Sequence, residues 1–173
     1  MKQALPIISI PDERLKKISQ PLTEVEILSS AVQKLGIDMI ATMYEDDGIG
    51  LAAPQIGKNI RLITIGKDAL KNQTALPFSI QNDLVLFNPE ITEYSWKTEV
   101  DEEGCLSVPG YAGLVARHIE ITVSAQTLTG EKIIFLAKKY FARVLQHEID
   151  HLNGILFIDR AKEVWKHKRT ISI

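Results

Sequence analysis

The chain has 173 residues, of which 45% are hydrophobic and 24% charged, with a formal net charge of −2. That balance suits a globular domain with a sizeable core, and it excludes a chain that binds nucleic acid or a membrane surface through bulk charge alone. No apolar run approaches the ~20 residues of a membrane span, and "MKQALPIISIPDERL" lacks the long apolar stretch and small-residue cleavage site of a secretory signal.

These features place the protein in a bacterial-type cytoplasm; an organellar form after removal of a transit peptide would read the same. One cysteine, Cys105, leaves no intrachain disulfide. Its open roles are a buried small residue, a nucleophile or a metal ligand. With no internal repeat and no linker-like tract, residues 1–173 read as a single domain.

In chain order, Pro11-Asp12 starts a short turn or helix. "TEVEILSSAVQKLGIDMIATMYEDD" reads as one N-terminal amphipathic helix, with Leu28, Val32, Leu35, Met39 and Met43 along one face. Gly36 weakens it slightly, and Gly48 and Gly50 end it. "IRLITIG" is a β-branched strand, and "KDALKNQTALPFSIQND" a polar surface excursion. "LVLFNPEI" and "EYSWKTEV" read as strands on either side of an Asn88-Pro89 turn. "HIEITVSAQTLTGEKIIFLA" reads as a β-hairpin turning at Thr129-Gly130. A helix then starts near Lys138. At about 100° per residue, Tyr140, Val144, His147, Glu148 and His151 share one stripe beside an apolar stripe of Phe141, Leu145, Ile149 and Leu152. Such a helix is buried on most sides. The expected fold is α+β, with antiparallel β-sheets wrapped around a central buried helix carrying the HExxH pattern.

That pattern, "HEIDH", places two imidazoles four residues apart on one helical face, where both reach one metal. Glu148 sits where it contacts a metal-bound water without ligating the metal. Downstream, only Asp159, Glu163 and His167 are offered as a third ligand, in a basic and polar segment. The upstream candidate is Cys105 in "DEEGCLSVPG", after a glycine that permits a tight turn. A thiolate and two imidazoles leave an open coordination position, the layout of a catalytic site. "GIGLAAPQIG" fits neither a dinucleotide fingerprint nor a phosphate loop, but it allows close backbone approach at Gly48 and Gly50, with the neutral amide of Gln55 nearby.

Together "GIGLAAPQ", "EGCLS" and "HEIDH" resemble the three ordered motifs of the peptide deformylases, and the likeness extends over nearly the whole chain. The resemblance implies hydrolysis of the N-formyl group from the formyl-methionine of new polypeptides. It implies Cys105, His147 and His151 as metal ligands, Glu148 as general acid/base, and Gln55 with the backbone N–H of Leu106 as oxyanion donors. It further implies that Gly48, Ile49, Gly50, Tyr140 and Val144 bind N-formyl-methionyl peptides. The cofactor it implies is one divalent metal per chain, typically Fe2+, with Zn2+, Ni2+ or Co2+ able to occupy the site. No sequence-specific nucleic-acid or membrane partner is expected.

The chain also departs from the family pattern. Lys139 stands where a glycine is common, Tyr140 where an aliphatic residue is common, and Asp101 where the residue is often apolar. These changes point to a modified pocket for the methionine side chain. The excursion from Lys67 to Asp83 is longer than in compact bacterial relatives. The tail "AKEVWKHKRTISI" reads as a solvated terminal turn, with transient ribosome association through its Lys and Arg residues as the other reading. Competing functions are a zinc peptidase cleaving internal bonds, a closed structural metal site, and a deformylase-like protein without activity.

Overall fold

The computed structural model describes residues 4–74 and 76–167. Antiparallel sheets and a few helices make the fold α+β. The strands are β1 (Gly50–Ala52), β2 (Leu62–Ile65), β3 (Leu84–Tyr94), β4 (Thr98–Gly104), β5 (Tyr111–His118), β6 (Glu120–Gln126), β7 (Lys132–Lys138) and β8 (Glu163–Lys166). The helices are α1 (Glu24–Ile27), α2 (Ser30–Glu45), α3 (Lys139–Leu152) and α4 (Phe157–Arg160). One sheet runs β1-β2-β3-β6-β7 and a smaller one β4-β5-β8, with every strand pair antiparallel. None of the described helices is long and apolar enough to cross a membrane.

The larger sheet is covered on both faces, which explains why β2 shows no alternation. Ile63 and Ile65 point into a cluster with Phe141, Leu145 and Ile149 of α3. Leu62 points the other way, into a cluster with Met39 and Met43 of α2. Val85 and Phe87 of β3 join the α2 side, and Leu84 and Leu86 the α3 side. A strand buried on both faces reads as a continuous apolar run. Gly36 allows the α2 contact, because a Cβ there would sit 2.7 Å from Val85 Cγ1.

Several expectations need correction. The N-terminal helix is two helices. Thr23 and Glu26 form a capping box on α1, and Ser29 restarts the chain by accepting from the N–H of Val32. This break turns Ile27 inward and leaves Leu28 52% exposed. Asn88-Pro89 is no turn, because β3 runs straight through it. Asn88 adopts φ 48° and creates a register shift between Phe87 and Glu90. The chain reverses later, around Ser95 to Lys97, where Lys97 O accepts from Ile119 N–H.

The excursion after Lys67 is anchored rather than loose. Ala69 and Leu70 are buried, and Phe78 meets Phe135 edge-on at 5.1 Å. The Gln73 amide pairs with both backbone groups of Lys138, at the entrance to α3. Segment 163–166 is strand β8 paired with β5, so the solvated-turn reading fails there. The rest of the basic tail lies outside the described residues.

Asn88 supplies a stability test. Its carboxamide accepts from Leu22 N–H at 2.8 Å and donates to Leu22 O at 2.7 Å and to Gln126 Oε1 at 3.0 Å. Asn88→Ala leaves these groups without that partner and puts an alanine at positive φ. The expected loss is about 2–3 kcal/mol, read as a lower urea midpoint with an unchanged m-value.

Candidate metal centre and active site

Helix α3 is buried from Phe141 to Leu152, so each of its polar side chains needs a partner. Cys105 follows directly on β4 and is 1% exposed. The Cys105 thiol and the ring nitrogens of His147 and His151 offer ligand atoms within 4.8 Å of one another. Cys105 Sγ lies 3.3 Å from His151 Nε2. No other histidine, acid or cysteine joins this cluster among the described residues. The upstream cysteine therefore completes the set. Of the downstream candidates, Asp159 is held by Lys16 and by the N–H of Leu156, and Glu163 lies exposed on β8. Neither finding favours a peptidase-type third ligand or a closed four-ligand site.

The donor chemistry fits a bound divalent cation. Glu148 Oε2 and His151 Nδ1 are buried without a hydrogen-bond partner among the described residues. Burial pushes the Cys105 thiol up to about 12. Burial and then the nearby His147 push His151 well below its ordinary value, keeping it neutral. A neutral imidazole is a ligand, and a bound metal deprotonates a coordinating thiol outright.

His147 is oriented from behind. Its Nδ1–H donates to Glu103 Oε2 at 3.0 Å, which leaves Nε2 for coordination. Glu103 is fully buried at the end of β4 and is shared by two guanidinium groups. Arg117 reaches both its oxygens at 2.9 Å, and Arg143 Nη1 reaches Oε1 at 2.7 Å. Burial alone would raise the Glu103 pKa, but hydrogen bonds from His147 and Arg117 outweigh it and hold it well below the carboxylate range. Arg117 also meets Asp150, which is gripped at both oxygens by Arg160. Sequence reasoning missed this chain of charges. The available signal was charge in the wrong place, namely Arg143 and Asp150 on a helix with little exposed face.

Glu148 lies against β1. A Cβ on Gly50 would fall 2.3 Å from Glu148 Oε1, so glycine is required there for the carboxylate to sit where it does. Burial first, and then the Glu103 charge, raises the Glu148 pKa well above its ordinary value. Gln55 is 2% exposed. Its Oε1 accepts from Ala52 N–H at 2.8 Å, which fixes the amide so that Nε2 lies 3.4 Å from Cys105 Sγ. The Leu106 N–H has no backbone or side-chain partner among the described residues.

The remaining sequence candidates divide. Gly48 is committed locally, its N–H donating to Met43 O at 2.8 Å. The Ile49 carbonyl accepts from Gly66 N–H at 2.8 Å, while its own N–H has no partner among the described residues. Gly50 opens β1, the edge strand of its sheet, so a peptide has a free edge to join. Val144 is fully buried one turn before His147. Tyr140 is 45% exposed and lines a separate cavity with Asp101. Lys139, with φ 52°, holds a backbone conformation that suits glycine.

Residues 4–167 match the polypeptide deformylase family. The chain belongs to that family. It is 40% identical over 162 residues to the peptide deformylase of Desulforudis audaxviator, covering 94% of this chain and 96% of that one. It is 43% identical over 155 residues to the peptide deformylase of Desulfotalea psychrophila, covering 90% and 86%. Among solved structures, the Met-Ala-Ser-bound class I type b peptide deformylase of Acinetobacter baumannii superposes with a TM-score of 0.81 at 37% identity, covering 92% of this chain and 99% of that one. The peptide deformylase of Thermotoga maritima gives 0.81 at 37% identity, covering 93% and 99%.

Glu103 is the residue whose loss tests the centre. Glu103→Ala leaves Arg117, Arg143 and His147 without their common partner. The expected cost is about 3–5 kcal/mol of stability, by analogy with breaking a buried ion pair, and a ~10–100-fold weaker hold on metal. Denaturant titration and metal content after equilibrium dialysis read the two effects separately.

Proposed function

We propose that this chain is a metal-dependent hydrolase that removes the N-formyl group from the N-terminal formyl-methionine of newly made polypeptides and releases formate. The observation that carries this reading is the convergence of Cys105, His147 and His151 beside an unpartnered, buried Glu148 carboxylate oxygen. In the same reading, antiparallel sheets wrap the helix carrying these residues, and residues 1–173 form one catalytic domain. One divalent metal is held by Cys105, His147 and His151, natively Fe2+, with Zn2+, Ni2+ or Co2+ able to replace it. When bound, such a cation lowers the pKa of water to about 7 and polarises the formyl oxygen.

The protein groups divide the remaining work. Glu148 takes a proton from the attacking water and delivers it to the departing nitrogen. Its buried carboxylate has an oxygen without a protein partner among the described residues, so it can carry the proton from one to the other. The Gln55 carboxamide and the Leu106 N–H donate to the oxygen as negative charge develops on it. Both are held before substrate arrives, Gln55 by its bond from Ala52, so little reorganisation is needed. The Ile49 N–H and the free edge of β1 align the peptide backbone. Gly50 lets Glu148 and the scissile bond come together without a side chain between them.

Two results test this. Formyl-Met-Ala-Ser incubated with the anaerobically purified, metal-loaded protein should yield formate, and chelation should abolish release. Glu148→Ala should keep about one metal per chain and lose ~10²–10⁴ in kcat. Gln55→Ala should lose ~10²–10³. Full activity in Glu148→Ala with metal retained would refute the mechanism.

A further inference from the structure

A cavity of about 220 Å³ opens where the last residues of β3 and β5 meet the C-terminal half of α3 and the end of α4. Its polar walls are Tyr94, Arg117, His118, Gln146, Asp150 and Arg160, with three aliphatic side chains beside them. None of Cys105, His147 and His151 lines it, although His151 follows Asp150 in α3. Tyr94 and Arg160 are about half exposed, so the cavity opens to solvent between them.

The acceptors on these walls are used up. Asp150 is the only acid among the lining residues. Its Oδ1 accepts from Arg160 Nη2 at 2.7 Å, and its Oδ2 accepts from Arg160 Nε at 2.6 Å and from Arg117 Nη1. Gln146 is committed as well. Its Oε1 accepts from His118 N–H, and its Nε2 donates to His118 O and Ala142 O.

The donors are not used up. A guanidinium carries five N–H groups. Arg160 commits two of them, both to Asp150, and Arg117 commits three, two to Glu103 and one to Asp150. The Tyr94 hydroxyl has no hydrogen-bond partner among the described residues. Its ring lies 4.8 Å from that of His118, which is itself held by donating from Nδ1 to Ser95 O at 2.6 Å. Burial first, and then the Asp150 charge, raises the Tyr94 pKa, so the hydroxyl stays a donor. Charge is uneven in the same sense. Glu103 and Asp150 join Arg117, Arg143 and Arg160 in one network, two carboxylates against three guanidinium groups. Asp159, the neighbour of Arg160 in α4, is taken by Lys16. The excess positive charge therefore reaches solvent through Arg160.

We propose that this cavity binds a phosphate group, as the free ion or as a monoester, held by the unspent N–H groups of Arg160 and Arg117 and by the Tyr94 hydroxyl. Donors on three walls suit oxygens directed tetrahedrally better than a planar carboxylate, and guanidinium groups bind phosphate with paired, charge-assisted hydrogen bonds. The assignment is independent of the deformylase reading, because neither a metal ligand nor Glu148 takes part.

The experiment titrates inorganic phosphate into the metal-loaded full chain and follows binding by calorimetry. The expected result is saturable binding of about one phosphate per chain, weakened ~10-fold in Tyr94→Phe, which removes one donor to a charged group, and ~10-fold or more in Arg160→Leu. A urea midpoint checks that each variant is folded. Where Arg160→Leu is not, Tyr94→Phe, which loses a single oxygen, decides. Glycerol phosphate bound more tightly than the free ion supports the site and assigns it to a phosphate on a larger molecule, while equal binding supports it for the free ion. Phosphate held equally by the parent and by Tyr94→Phe is an adventitious ion only, on the metal or elsewhere on the surface, and overturns the assignment. So does the absence of saturable binding.

Discussion

The carboxylate of Glu103 is the point on which the site depends. It is fully buried, yet it meets His147 from α3, Arg117 from β5 and Arg143 from α3. An isolated carboxylate in that position would be prohibitively costly to desolvate. Two guanidinium groups and an imidazole N–H offset that cost only in one arrangement. The helix must sit at one height along β4, and β5 must keep one register beside it. Buried ion pairs in general add little or no raw stability over an apolar core of the same volume. What this network provides is position, because His147 can turn only one nitrogen toward Cys105 and His151, the other ring nitrogen being held by Glu103. Asp150 and the half-exposed Arg160 extend the same constraint to the last turn of α3 and to α4.

The larger sheet supplies the rigid half of that arrangement. Its β2 and β3 strands are packed by α2 on one face and α3 on the other, so neither can slip without exposing an apolar face. β1 hangs on the edge of this sheet and carries Gly50 to within contact of Glu148. The Glu148 carboxylate is therefore set between a strand fixed by the sheet and a helix fixed by Glu103. Preorganisation of this kind lets the reacting groups act with little movement.

The clustering of Cys105, His147 and His151 was legible because metal-binding chemistry demands particular residue types at particular spacings. The β6–β7 hairpin and the start of α3 were legible from periodicity and turn chemistry. The misses share a cause, which is that non-local contacts outweighed local pattern. The helix broke at Ser29 because two capping side chains competed with an apolar stripe that never had to be continuous. Asn88-Pro89 looked like a turn because turns and bulges use the same left-handed asparagine. The excursion after Lys67 looked polar because its anchors, Leu70, Leu76 and Phe78, are spread among charged residues. Strands β5 and β8 went unread, since Gly113 and Val164 pair across elements far apart in sequence. Glu103 and Arg117 could not be paired from sequence at all.

Lys139 shows how the two ends of α3 have come to differ. It holds a left-handed backbone with φ 52°, which costs a lysine more than a glycine, and its N–H donates to Ile119 O at 2.6 Å. The entry to the helix is thus specified by the strand before it and by Gln73, whose amide pairs with Lys138. Its far end is specified by the histidines. Between them, Tyr140 and Arg143 face the cavity while His147, Glu148 and His151 face the centre, one turn further on. The cavity beside Tyr140 and the candidate metal centre thus lie at different heights along the same helix. The charged cavity beside the first turn and the Cys105, His147 and His151 cluster are kept apart along the length of one helix.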